Sequence, residues 1–106
     1  MNSISRTARM AIMAATVMAA APAMAADHAV TIKGFAFSPA TLTVAAGDTV
    51  TFTNEDGAPH TATAADGSFD TGRIDGGGSA TVTVGGGDHA YKCNFHSSMK
   101  GTISAN

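Results

Sequence analysis

The run Thr49-Val50-Thr51-Phe52-Thr53 alternates a β-branched hydroxyl residue with a large apolar one at every step. A period of two puts Val50 and Phe52 on one face and the threonines on the other, as in a half-buried β-strand. Turn formers bracket the run, with Ala46-Gly47-Asp48 before it and the loop Asn54–Pro59 after it. Working outward, the same alternation recurs. His28–Lys33 carries Val30 and Ile32 on one face and is broken by Gly34. Thr41–Ala45 follows Pro39, with Leu42 and Val44 inward. Downstream come a short run at Thr61–Ala64, then Ser79–Val84 with Val82 and Val84 inward, His89–Cys93, and Lys100–Ser104 with Ile103 inward. Ala65–Gly78 is irregular, and the triple glycines Gly76–Gly78 and Gly85–Gly87 act as turns between strands. No segment sustains a helical period. Seven to eight short strands in about eighty residues predict an all-β sandwich or barrel.

The chain has 106 residues, enough for one domain. Residues 1–25 stand apart from that domain. Arg6 and Arg9 precede the apolar run Ala11–Ala21, and Ala23-Met24-Ala25 closes it with small residues at either side of a methionine. That is the order of a cleaved secretory signal peptide. The run falls short of the roughly 20 residues needed to span a bilayer, so no membrane span is expected. The domain is expected over 26–106, exported to a bacterial periplasm. It keeps four basic residues (Lys33, Arg73, Lys92, Lys100) against eight acidic ones, a net charge of −4. That balance argues against a nucleic-acid-binding face and favours a partner with a positive or apolar docking surface.

Cys93 is the single cysteine, so a small exported domain has no internal disulfide. A lone thiol in an oxidising compartment pairs between chains, reacts, or is held by a metal. Of the six methionines, Met99 alone lies beyond residue 25, close behind that cysteine. Together they define Cys93-Asn94-Phe95-His96-Ser97-Ser98-Met99, a Cys-x2-His-x2-Met sequence. A thiolate, an imidazole and a thioether this close supply three of the four donors of a blue-copper electron-transfer site. The fourth is a second imidazole, and His60 is the best candidate, because a neighbouring strand can bring it beside Cys93. Competing readings fit less well. A protease-like Cys–His pair lacks an orienting group and an oxyanion loop. Zinc would use two histidines and a cysteine but leave Met99 without a purpose. His28 reads as a solvated terminal residue, His89 as a strand or corner residue, and Lys92 as solvated on the strand face opposite Cys93. Phe35, Phe37, Phe52 and Phe69 read as core or rim.

With these residues in place, the sequence resembles the cupredoxin (type-1 blue copper) family, in particular its amicyanin, plastocyanin and pseudoazurin branches. Phe37-Ser38-Pro39, Gly47-Asp48-Thr49-Val50 and Pro59-His60 resemble the family's early strands and first ligand loop, and Cys93–Met99 matches a short amicyanin-type loop in length. The resemblance implies a Greek-key β-sandwich holding one type-1 copper, with His60, Cys93 and His96 as strong equatorial ligands and Met99 as the axial one. Three positions depart from the usual pattern. Thr61 stands where an asparagine ties the two ligand loops, Phe95 where a proline precedes the second histidine, and His89 where a tyrosine forms a corner. Unlike proline, Phe95 has an N–H, expected to point near the Cys93 sulfur.

By that resemblance the protein is a monomeric periplasmic carrier of single electrons, cycling Cu(II) and Cu(I), and not an enzyme. Redox protein partners would dock transiently around His96, with Pro59, Phe95 and Ser97 on the rim. The alternative is a periplasmic copper-binding protein for copper delivery or resistance, which the lack of further Met/His tracts disfavours. A piece of a copper oxidase or nitrite reductase would need further clustered histidines, whereas His28 and His89 lie on separate segments.

Overall fold

A computed structural model describes residues 25–106. The expected signal segment, apart from Ala25, lies outside the described residues. Eight strands form: β1 (Asp27–Ile32), β2 (Phe37–Ser38), β3 (Thr41–Val44), β4 (Thr49–Asn54), β5 (Thr63–Ala64), β6 (Ser79–Thr83), β7 (Gly87–Lys92) and β8 (Lys100–Ala105). No helix occurs among the described residues, and none there is long and apolar enough to cross a membrane. The expected all-β sandwich is borne out. One sheet has the order β2-β1-β4-β6 and the other β3-β8-β7-β5. Each sheet is mixed: β1 runs parallel to β4 and β3 parallel to β8, while the other pairs are antiparallel.

The alternation read from Thr49–Thr53 holds in three dimensions. Val50 and Phe52 are fully buried, and the threonines between them are half-exposed. On the outer face Thr51 shares a hydrogen bond with Thr81 at 2.8 Å and donates to Asp27, and Thr53 meets Ser79 at 3.0 Å. Hydroxyls of β4 and β6, with the Asp27 carboxylate of β1, thus line the solvent side of this sheet. Between the sheets Phe37, Phe52, Phe69 and Tyr91 pack edge-on or stacked at 4.7–6.5 Å between centroids. Val30, Ile32, Val44, Val84 and Ile103 surround them. Tyr91 lies across Gly101 on the paired strand β8, where an added Cβ would come within 2.4 Å of the ring.

Three strands differ from the sequence reading: β7 takes in Gly87 and Asp88 from the expected turn and ends at Lys92, before Cys93, and β2 and β5 also depart from it. β2 is too short to show alternation and is implied only by the resemblance of Phe37-Ser38-Pro39 to the family's early strands; Phe37 and Ser38 pair with Ile32 and Thr31. β5 is shorter than Thr61–Ala64. The Thr61 N–H donates to the Cys93 sulfur and the Ala62 N–H to the Thr71 hydroxyl, so neither is free for the ladder. His28 is not a free terminal side chain: its Nε2 lies 2.9 Å from Asp48 Oδ2. Asp48 also accepts from the N–H groups of Ala26 and Ala45, and these contacts, His28 first, bring its carboxyl down to about 2.

Candidate metal centre

Three loops meet at one end of the sandwich. The first joins β4 to β5 and carries His60. Buried Asn54 staples this loop, donating to the carbonyls of Ala58 (2.8 Å) and Ile74 (3.0 Å) and accepting from the Asp56 N–H. His60 and Ile74 exchange backbone hydrogen bonds at 3.1 and 2.7 Å. Gly76 packs beneath: a Cβ there would sit 2.7 Å from the Asp56 carbonyl oxygen, too close for any side chain. The first residue of the triple-glycine turn is thus a close-approach site beneath the His60 loop.

The second loop, Cys93–Met99, folds back on itself. The Cys93 N–H donates to the Met99 carbonyl at 3.1 Å, and the Met99 N–H to the His96 carbonyl at 2.9 Å. Thr61 ties it to the first loop, which answers the question raised by the missing asparagine. Its hydroxyl accepts from the Asn94 N–H at 2.9 Å, and its own N–H points at the Cys93 sulfur at 3.4 Å. The expectation for Phe95 fails here: the backbone N–H that reaches the sulfur belongs to Thr61, from the opposite loop. Phe95 instead carries its ring outward, half-exposed.

The third element is the β1–β2 turn, Lys33–Ala36, closed by backbone hydrogen bonds between its ends. Phe35 sits at its apex with a left-handed φ of 57°. Its ring meets His60 edge-on at 5.0 Å and His96 at 4.7 Å. Asp56 holds the turn, accepting from the N–H groups of Gly34 (2.7 Å) and Phe35 (2.9 Å). These bonds, from Phe35 first, keep the Asp56 carboxyl below the usual carboxylate range. Neither Phe35's contact with the histidines nor Asp56 was legible from the sequence.

At the meeting point, donor atoms of His60, Cys93 and His96 lie within 4.8 Å of one another. His60 Nδ1 and His96 Nδ1 are each 3.7 Å from Cys93 Sγ. Metal–sulfur and metal–nitrogen bonds of about 2.3 and 2.1 Å meeting at about 120° separate their donors by about 3.8 Å. The cluster therefore has the spacing of a trigonal metal site. His60 and Cys93 are fully buried, Met99 nearly so, and His96 is part-exposed. Two imidazoles and a thiolate with a thioether on the same loop match type-1 copper by donor chemistry. His89 and His28 stand outside this group, each with its own carboxylate.

The sequence matches the Cupredoxin-like domain family over residues 7–105. The chain belongs to the cupredoxin family. Similar solved structures of cupredoxin fold include a Cu-containing nitrite reductase from Thermus scotoductus SA-01, 29% identical with a TM-score of 0.69. The match covers 76% of this chain and 22% of that one, so this cupredoxin spans about a fifth of the nitrite reductase. A reduced amicyanin variant is 23% identical with a TM-score of 0.67, covering 74% of this chain and 80% of that one. A second amicyanin variant, in its reduced Cu(I) form, is 22% identical with a TM-score of 0.69 and covers 83% and 88%. The amicyanin matches establish likeness of fold. No sequence relative is found among curated proteins.

Proposed function

We propose that this cupredoxin is a monomeric, periplasmic carrier of single electrons that holds one copper ion through His60, Cys93 and His96, with Met99 as a weak axial donor. The observation that carries the reading is the pair of imidazole Nδ1 atoms placed 3.7 Å either side of the Cys93 sulfur. Bound there, copper supplies a Cu(II)/Cu(I) couple that accepts and releases one electron.

The residues supply the rest. Thr61 and Asn54 fix the two ligand loops to each other and to the sandwich, so little protein has to move when the charge of the site changes. The Thr61 N–H withdraws density from the sulfur, which tunes the potential. His96 is the part-exposed member of the cluster; its ring meets that of half-exposed Phe35, and half-exposed Phe95 and exposed Ser97 flank it in the loop. An apolar rim around one imidazole edge suits a partner that docks over a small area and leaves quickly. A carrier rather than an enzyme is supported by the other two histidines, which are committed to Asp48 and Asp66 away from the cluster. Export rests on the signal-like order of residues 1–25.

The test is uptake of one equivalent of Cu(II) by purified protein, expected to give an intense blue thiolate charge-transfer band and a reversible one-electron couple. A colourless or zinc-selective protein would defeat the reading. Rapid surrender of copper to a chelator, without reversible redox behaviour, would favour copper delivery instead.

A further inference from the structure

The Asp56 carboxylate makes contacts on two sides. Oδ2 lies 2.9 Å from His60 Nε2 and also accepts from the Phe35 N–H; Oδ1 accepts from the Gly34 N–H. One acidic side chain thus joins the buried histidine to the turn that carries Phe35. The Phe35 ring, held at a φ that side chains rarely adopt, reaches both histidines. Strain of this kind persists where surrounding contacts over-determine it.

We propose that Asp56 is a positioning residue for the metal centre, acting on His60 through hydrogen bonding and on His96 through Phe35. A carboxylate at Nε2 takes the imidazole proton as its hydrogen-bond donor. That leaves the Nδ1 lone pair facing Cys93 Sγ, where a metal would sit. The negative partner also makes His60 a stronger donor, which favours Cu(II) over Cu(I). On the other side, the two turn amides hold the Phe35 ring against the edge of His96. His96 lies on the exposed loop and would otherwise be the less constrained of the two imidazoles. The residue therefore sets the tautomer of one ligand and the orientation of the other.

This inference rests on His60 and His96 being ligands, and its test separates the two questions. In metal-free full-length protein, above the pH of imidazole protonation, nitrogen NMR of His60 should show the Nε2–H tautomer. Asp56→Ala should give a tautomer mixture, and Asp56→Glu should restore the single form. Failure of the wild type to take up copper would sink the functional reading but leave this measurement decisive for Asp56. In copper-loaded protein, Asp56→Asn should lower Cu(II) affinity by about 10- to 100-fold and Cu(I) affinity by less. A tenfold difference between those losses appears as a rise of about 59 mV in potential. Phe35→Leu keeps the turn amides on Asp56 and should leave the His60 tautomer untouched, while broadening the orientation of the His96 ring in its NMR couplings. An unchanged His60 tautomer in Asp56→Ala, or equal loss of affinity for both copper states, would overturn the proposal. So would a His96 ring that stays fixed in Phe35→Leu. Because Asp56→Glu keeps the charge, a fold defect in the alanine variant would not mask the result.

Discussion

His60 and His89 are both buried, both paired with an aspartate, and used differently. His89, on β7, has oxygen partners at both ring nitrogens. Nδ1 lies 2.8 Å from Asp66 Oδ2 and 3.1 Å from Ser68 Oγ, and Nε2 donates to the Gly85 carbonyl at 2.8 Å. His60 has an oxygen partner only at Nε2, through Asp56, while Nδ1 faces sulfur. A histidine saturated with oxygen acceptors is a bolt between loops. One whose second nitrogen meets a thiol sulfur instead of an oxygen is placed where a metal could bind. The carboxylate alone does not distinguish them; the second nitrogen does.

The largest effect should be on colour. His60→Ala should abolish the blue band of copper-loaded protein, as should Cys93→Ala, whereas His89→Gln should leave it in place. Loss of the band in His89→Gln would erase the distinction. Met99→Ala should keep a coloured site, because the axial bond is weak.

Stability should sort the pair the other way. His89→Ala leaves the Gly85 carbonyl and the Asp66 carboxylate without their shared partner, at a cost of about 1–3 kcal/mol in denaturant unfolding of metal-free protein. For His60→Ala the diagnostic loss is of the copper-dependent rise in melting temperature, since only the folded state presents the site. A variant that still gains from copper would show that His60 is dispensable for binding.

A smaller effect follows from pH. The Gly85 carbonyl first, and then Asp66, raise the His89 pKa above its ordinary value, while Ser68 first and then His89 lower Asp66 to about 2. A raised histidine pKa contributes stability that is full below about pH 6.5 and disappears as the pH rises through the folded value. The lowered Asp66 contributes above its unfolded pKa of about 3.9 and loses that contribution as the pH falls toward about 2. With His60 and His96 held by copper, unfolding midpoints should therefore decline on the alkaline side of this window. In His89→Gln that decline should flatten; an identical slope would place the titrating group elsewhere.

The smallest effect tests the tie between the ligand loops. Thr61→Ala removes the hydroxyl that accepts from Asn94 but keeps the N–H that reaches the sulfur. It should cost about 1 kcal/mol and barely move the charge-transfer band. A large spectral shift would mean that the hydroxyl, not the amide, shapes the sulfur's surroundings.

The sandwich was legible because its signal is local. Val50 and Phe52 alternate with threonine over adjacent residues, and that order alone sends them inward. Cys93, His96 and Met99 were legible because three unlike donors share one short loop. Asp56 was hidden in a loop of turn formers. Whether Asp56 turns toward the site or out to solvent depends on the β1–β2 turn, more than twenty residues upstream, whose amides it meets. Phe35 was hidden for the same reason, since its contact with the histidines needs that turn to be placed. The expectation for Phe95 failed because it considered one loop by itself, while the amide that reaches the sulfur comes from across the site.

Asp48 gives the start of β1 a further property. Its Oδ1 accepts from the Ala26 N–H at 3.0 Å. Cleavage at the expected position after Ala25 would turn that amide into an ammonium group beside a carboxylate already held in its charged form. A neutral hydrogen bond would become a charge-assisted one, which is shorter and about twice as strong. Cleavage there would then hold the first strand more firmly to the β3–β4 turn, so that a change at one peptide bond would tighten the fold.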